Sequence, residues 1–452
     1  MGKGLAPEAK LLVSRTGTFG GVDVESEDEA EPPYARSVTS SKASTTPSLR
    51  SVASSQSQFR SPAAPLPPLP VEGQDPSSPR PDALHPLLAP LHGFISPLDP
   101  SALFTELVEI AEGESGSVYA ARASAEFPSM KQSSALERPI PAGTSHVAIK
   151  RIQLPPLLPS GSPSSSATES PAGADESLLH IKISSLLHEL TLLRSVEHEH
   201  LLLLDGAYVH TSVNADESPE ENASKAATLD TSLWIRMELM ERSLADVIAL
   251  VAQGLALQER MVARFTSDVL LGLEYLQKQH IAHRDVRSDN LLLNAAGVVK
   301  LADFSNAIRV PENAPIVTGA VGVIYWQAPE MRAGPYDALK VDVWSVGATV
   351  WELAETVPPF SMPASPDSQA VFSVPSSKQF GVQWPPLSHP EHYSRGFREF
   401  LRLCGVEAAT RPSPTELLNS QFIRNACGRA VIRQLLSQCR AMEEAMLARE
   451  NE

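Results

Sequence analysis

The sequence predicts an α+β protein in which a small β-rich lobe precedes a larger helical one. Three observations carry that expectation. Short runs of alternating apolar and polar residues cluster between about residues 104 and 150. One amphipathic helix follows them, and from about Ser243 the pattern is helical to the end. The strand runs are Leu107–Ile110, Ser117–Ala120 and His146–Lys150, with order expected to begin at Phe104. The helix is expected from about Leu178 to Ser195, because Ile183, Leu186, Leu187, Leu190 and Leu193 fall on one face. Three polar inserts, near 123–145, 155–175 and 210–231, interrupt this region and read as disordered loops. At the far end, Ala430 to Arg449 reads as a further amphipathic helix, placing Val431, Ile432, Leu435, Leu436, Met442 and Met446 on one side. It can dock back on the helical lobe or bind a partner.

Composition narrows the rest. Of 39 prolines in 452 residues, 16 fall in the first hundred together with 15 serines, so residues 1–100 are expected to be disordered. Within them Pro65-Leu66-Pro67-Pro68-Leu69-Pro70 should populate polyproline II, a form that SH3-type domains dock. No basic residue sits at the usual flanking position, and a stiff linker is the plainer reading. Lys+Arg of 37 against Asp+Glu of 53 gives a net charge of −16, which argues against nucleic acid and anionic membranes as partners. No run of about 18 apolar residues suggests a membrane span. The start carries no apolar signal-peptide core, and Ala6 stands where a myristoylation signal needs Ser or Thr. Cys404, Cys427 and Cys439 form neither an even disulfide set nor a metal spacing, so free thiols and a cytoplasmic location are expected.

The residues able to do chemistry recur in a fixed order. Ala111-Glu112-Gly113-Glu114-Ser115-Gly116-Ser117-Val118 joins two strands as a glycine-rich turn, which lets backbone N–H groups approach phosphate oxygens. Alone it is a weak signal, since a plain hairpin explains it equally well. Val147-Ala148-Ile149-Lys150 follows on the third strand, and Glu189 on the amphipathic helix can face Lys150. The decisive segment is His283-Arg284-Asp285-Val286-Arg287-Ser288-Asp289-Asn290, followed by Asp303-Phe304-Ser305 and Ala328-Pro329-Glu330.

This order resembles the eukaryotic protein kinase family. Asp342 in Val341-Asp342-Val343-Trp344-Ser345 and Arg411 in Thr410-Arg411-Pro412-Ser413 fit it too. Trp326 before Ala-Pro-Glu and the run Ser288-Asp289-Asn290 look most like the PAK-like branch of the sterile-twenty serine/threonine kinases. The resemblance implies a bilobal protein kinase fold over residues 101–424, with an N-lobe to 240 holding one regulatory helix and a helical C-lobe over 241–424. Residues 425–452 then form an appended amphipathic helix. It implies ATP and Mg²⁺ as cofactors and protein substrates and upstream signalling proteins as partners.

It also implies roles. Asp285 accepts or orients the substrate hydroxyl proton, Asn290 and Asp303 hold Mg²⁺, and Lys150, held by Glu189, positions the phosphates. Ile110, Glu112, Gly113 and Gly116 border the nucleotide. Val118, Ala148 and Leu292 sandwich its adenine, and Glu238 and Met240, just past a Met237 gatekeeper, offer backbone hydrogen bonds. Leu193, His283 and Phe304 should stack between the lobes, Asp342 should tie down the catalytic loop, and Glu330 should pair with Arg411.

Four departures from the family pattern stand out. Ala111 replaces the first loop glycine, and Ser305 replaces the glycine after Asp-Phe. Arg287 stands where serine/threonine kinases keep a lysine at the γ-phosphate, and its forked guanidinium is not a point ammonium. Val323 sits where a threonine normally bonds both Asp285 and that lysine, and the position of the activating phosphothreonine is Gly319, with Thr318 beside it. Two readings follow: a serine/threonine kinase, or an ATP-binding pseudokinase that acts as a signalling scaffold. Glu241 and Asp246 hint at basic peptide substrates, although ordinary surface carboxylates are the plainer reading.

Overall fold

A computed structural model describes residues 85–113, 116–124, 134, 136, 138, 140, 144–155, 172–214, 228–361 and 384–450. Most of the expected disordered region, including Pro65–Pro70, and most of the 123–145 and 155–175 inserts lie outside the described residues.

The small lobe is a six-stranded sheet in the order β1-β5-β6-β4-β3-β2. Its strands are β1 (Ile95–Ser96), β2 (Phe104–Gly113), β3 (Gly116–Ala123), β4 (His146–Gln153), β5 (Leu204–Asn214) and β6 (Thr228–Met237). All pairings are antiparallel except β1 with β5. Alternation along the strands sends Phe104, Ala121, Val147, Ile149, Tyr208 and Trp234 to one apolar face. Ile152, Leu233 and Ile235 belong instead to the main core, which also takes Ile183, Leu186, Leu190 and Leu193 of helix α2 (Ala172–Leu193). A short helix α1 (Pro100–Leu103), capped by the Asp99 carboxylate on Ser101 N–H at 2.9 Å, leads into β2.

Four boundaries differ from expectation. Order begins well before residue 101: Pro86–Leu91 forms a 3₁₀ turn whose Leu87, Leu88 and Leu91 are buried, and β1 extends the sheet. A spacing of three and four residues between these leucines satisfies a helical turn, a signal swamped in sequence by the surrounding prolines. The 210–231 insert is shorter than expected, because β5 and β6 continue in register from His210↔Ser232 to Asn214↔Thr228. The 123–145 insert is partly anchored as well: Leu136 is buried, and Arg138 N–H donates to Asp205 O at 3.1 Å. Helix α2 also starts six residues earlier than Leu178 and ends at Leu193.

The large lobe opens with β7 (Arg242–Ser243) and α3 (Leu244–Ala252), whose Ser243 and Asp246 form a reciprocal capping box. Helix α4 (Glu259–Lys278) runs through its centre. Short strands follow: β8 (Ile281–Ala282), β9 (Leu291–Leu293), β10 (Val299–Leu301), β11 (Ile308–Arg309), β12 (Ile316–Val317) and β13 (Tyr336–Asp337). Among the described residues the helices α5 (Ala338–Glu355), α6 (Arg395–Cys404), α7 (Pro414–Leu418), α8 (Gln421–Arg424) and α9 (Arg429–Glu450) follow.

Helix α9 docks on the large lobe, burying Ile432, Leu435, Leu436 and Cys439. Arg242 donates twice to Glu443, at 2.7 and 3.2 Å, and Arg440 pairs with Glu241 at 3.0 Å. Glu241 and Asp246 are thus engaged within the fold, one by α9 and the other as a helix cap. Arg429 binds both the fully buried Asp268 and Gly297 O, and Asp268 in turn accepts Val299 N–H at 3.0 Å. All three cysteines are free and buried, and burial pushes the Cys439 thiol up to about 11. Among the described residues no helix is long and apolar enough to cross a membrane.

Candidate active site

The loop from His283 to Asn290 is fixed from below. Asp342, buried in α5, accepts His283 N–H at 2.8 Å and Arg284 N–H at 2.7 Å. Burial pushes its carboxyl above the usual range, and those two bonds pull it back. Arg284 is thereby held at φ +65°, a left-handed conformation that a non-glycine residue keeps only when its surroundings impose it. His283 and Phe304 meet edge to face at 4.9 Å, and both are fully buried with Leu193.

Asp285 is held on one oxygen only. Its Oδ2 accepts Asn290 Nδ2 and Asn306 Nδ2, each at 3.3 Å, and Asn290 Nδ2 also reaches Asp285 O at 2.9 Å. Its Oδ1 is buried and takes no hydrogen bond among the described residues. The nearest cation there is Arg287, Nε 4.0 Å away. Arg287 itself pairs with Asp289 at 2.8 Å and lies 5.7 Å over the Trp326 ring. The Asn290 amide nitrogen is spent on Asp285, which leaves its Oδ1 as a hard oxygen donor. The exposed Asp303 carboxylate is another, on a segment joined to Asn290 by Ala302 N–H on Asn290 O at 2.8 Å. That donor set fits Mg²⁺. Asp303 has φ +63° and accepts Ser305 N–H at 3.2 Å.

Between the lobes Leu202, Met240 and Ala302 form a small apolar cluster with Met237 and Leu292, and Ala148 pairs with Met237 across β4 and β6. Glu238 turns its carboxylate away, onto Lys300 at 2.6 Å and Asn294 at 2.9 Å. Lys150 sits opposite Val118 and Ile235 in the sheet. Gly116, at the exit of the β2–β3 turn, has φ +122°, and a Cβ there would lie 2.4 Å from Arg151 O, so only glycine fits. Ile110, Glu112 and Gly113 lie on β2, where Glu112 pairs with Ser117 and Gly113 with Gly116 of β3.

The expected ion pair of Glu189 with Lys150 is not closed. Glu189 instead accepts Phe304 N–H at 3.2 Å. Its carboxyl is pushed up by burial first and by Asp303 second, against the pull of Lys150. By contrast, Glu330 and Arg411 pair as expected, at 2.5 and 3.2 Å.

The segment around Gly319 is held by hydrogen bonds to its neighbours. Tyr336 OH donates to Gly319 O at 3.0 Å, and Arg284 reaches that hydroxyl at 3.4 Å and Asn306 O at 2.8 Å.

Three residues here escaped sequence reading. They are Asn306 and Gly322, both against Asp285, and Glu352, which accepts Ser288 Oγ at 2.7 Å and Trp326 Nε1 at 3.1 Å. A polar residue directly after Asp-Phe-Ser was the one available hint.

Burial pushes the Glu352 carboxyl from its ordinary 4.5 up to about 7, against the Ser288 and Trp326 bonds. Between those values the folded chain binds more protons than the unfolded one, so stability falls as pH rises. The contribution is fully present below about 4.5 and lost through about 7. Glu352→Gln keeps both contacts, with the Ser288 hydroxyl turned round. It should therefore be more stable than the parent at pH 8, by about 1 kcal/mol or more, with the gap closing towards pH 5. Melting temperatures across pH check this, and parallel profiles would refute it.

The protein kinase domain family matches residues 174–423, more than half of the chain. The chain belongs to that family. The match begins within α2, after two of the inserts that separate the small-lobe strands.

Among curated relatives, the serine/threonine-protein kinase pakC of Dictyostelium discoideum is 26% identical over 351 residues, 77% of this chain and 60% of the relative. The serine/threonine-protein kinase shk1/pak1 of Schizosaccharomyces pombe is 28% identical over 343 residues, 75% of this chain and 41% of the relative. The serine/threonine-protein kinase hippo of Drosophila melanogaster is 34% identical over 219 residues, 48% of this chain and 31% of the relative. In each case the matched stretch spans three fifths of the relative's length or less.

Proposed function

We propose that this chain is a protein serine/threonine kinase that moves the γ-phosphate of ATP to a protein hydroxyl in cytoplasmic signalling. The observation that carries the reading is Asp285: one carboxylate oxygen is fixed by two amides, and the other is buried and takes no hydrogen bond among the described residues. When bound, Mg²⁺-ATP supplies the phosphoryl group and the charge that neutralises its oxygens. Asn290 and Asp303 hold the metal, and Lys150 draws in the phosphates. Met237, Glu238 and Met240 border the adenine, with Leu292 as its floor. Asp285 Oδ1 orients the incoming serine or threonine hydroxyl and takes its proton as the oxygen attacks phosphorus, while the bond to the ADP oxygen breaks. Arg287 lies on the acceptor side, where its charge, shared with Asp289, steadies the transferred group. Upstream signalling proteins that place a substrate hydroxyl at this site are its natural partners.

The test is phosphate transfer to myelin basic protein at saturating Mg-ATP, beside an Asp285→Asn control, together with nucleotide-induced thermal shifts. The parent should transfer phosphate and the control should not. Lys150→Met and Asp303→Asn should each shrink Mg-ATP stabilisation by more than about 1 kcal/mol. If Mg-ATP stabilises the parent but transfer does not exceed the control, the chain is an ATP-binding scaffold. If no thermal shift occurs, the nucleotide site itself is refuted.

A further inference from the structure

The family's threonine contact to the catalytic aspartate is impossible at Val323, whose side chain carries no donor and is more than a third exposed. Asp285 Oδ2 is nevertheless doubly bonded. Its second donor is Asn306 Nδ2 at 3.3 Å, from the segment that follows Asp303-Phe304-Ser305. Two features make this a built contact. The Asn306 main chain is pinned by Arg284 Nε on its carbonyl at 2.8 Å, next to the residue it serves. Among the described residues the Asn306 side chain makes no other hydrogen bond, so no turn or helix cap accounts for an amide there.

We infer that Asn306 is a positioning residue for Asp285, supplying from the Asp-Phe-Ser side the hydrogen bond that Val323 cannot give from the other. A carboxylate turns easily about its Cβ–Cγ bond, a broad two-fold torsion that can exchange its two oxygens. Donors from Asn290 and Asn306 on the same oxygen fix which one faces them, and leave Oδ1 turned to Gly322 and Arg287. Loss of one donor lets the carboxylate swing and blurs the place where the hydroxyl must sit. Nothing in the contact touches the adenine or the Asp303 carboxylate, so the loss belongs to turnover and not to nucleotide binding. The kinetic form of the inference rests on the kinase reading above; its structural form does not.

The experiment has two arms on the full chain. In the first, Asn306→Leu, Val323→Thr and their combination are assayed with myelin basic protein. Asn306→Leu should lower turnover about 10- to 100-fold, the range expected when a reacting group is misplaced, with KM for ATP within about threefold. Adding Val323→Thr should recover most of the loss, and should help the parent far less. Unchanged turnover in Asn306→Leu, or a loss that the threonine leaves untouched, overturns the inference.

In the second arm, melting temperatures are measured for Asn306→Leu and Asp285→Ala, singly and together. The leucine should cost several degrees while Asp285 is present and clearly less once it is gone. Additive losses overturn the inference even if the parent transfers no phosphate. In that case the kinase reading fails separately.

Discussion

Gly322→Ala is expected to cut phosphate transfer about 10²-fold while leaving the Mg-ATP thermal shift nearly unchanged. Gly322 has φ +78°, where a β-carbon costs roughly 1–2 kcal/mol by itself. The space is closed as well. A Cβ would lie 2.8 Å from Arg284 O and 2.8 Å from Asp285 Oδ1, the oxygen to which the proton would go. Arg284 cannot withdraw, because its N–H is held by Asp342. The glycine segment cannot easily withdraw either, because Gln327 Nε2 donates to Gly322 O at 2.7 Å and to Val321 O at 3.2 Å. The alanine therefore either pushes the Asp285 carboxylate aside or covers it. Full turnover in a folded Gly322→Ala protein would show that Asp285 Oδ1 is not the working atom.

Glu330→Ala should destabilise the protein by about 3–5 kcal/mol in urea unfolding, because it strands a buried cation. The Arg411 side chain is 1% exposed and Glu330 17% exposed. Beyond the carboxylate, Arg411 donates to Lys340 O at 2.8 Å and Val406 O at 3.2 Å and lies 5.5 Å over the Trp344 ring. The guanidinium would keep those contacts without a counter-charge. Arg402 and Glu399 provide the comparison: their bonds are 2.7 and 2.9 Å, but the side chains are 59% and 52% exposed. Removing Glu399 should change stability by no more than about 0.5–1 kcal/mol, and less in high salt. Equal costs at the two sites would mean that burial is not what makes the first pair matter.

Where chemistry sits in contiguous residues, the sequence was readable: His283 to Asn290, Asp303-Phe304 and Val147 to Lys150 occupy the expected loop, turn and strand. The Glu330–Arg411 pair was readable as well, because both partners lie in recognisable segments. Asn306 and Gly322 were not. Each acts on Asp285 across an intervening loop, and nothing local marks an asparagine or a glycine for that contact. Glu352 looked like an ordinary helix carboxylate, since its burial depends on Ser288 and Trp326 from two other segments. Lys150 and Glu189 were correctly assigned to strand and helix, yet the carboxylate found a nearer donor in Phe304 N–H. Proline-rich composition concealed the Leu87–Leu91 turn, and the polar run His210-Thr211-Ser212 concealed the outer ends of β5 and β6.

The strand Ile95–Ser96 also bears on the order of assembly. It joins the sheet by pairing Ile95 with Ala207, residues 112 positions apart (207 − 95), whereas β2 and β3 meet through a local turn. A contact that closes so long a loop for two residues of strand forms late and opens early. The Pro86–Leu91 turn next to it packs against α2, the helix that carries Glu189. The first sub-global opening of the small lobe is therefore expected to release the support behind α2 while β2, β3, β4 and β6 stay paired. That places the helix on the least cooperative unit of its lobe.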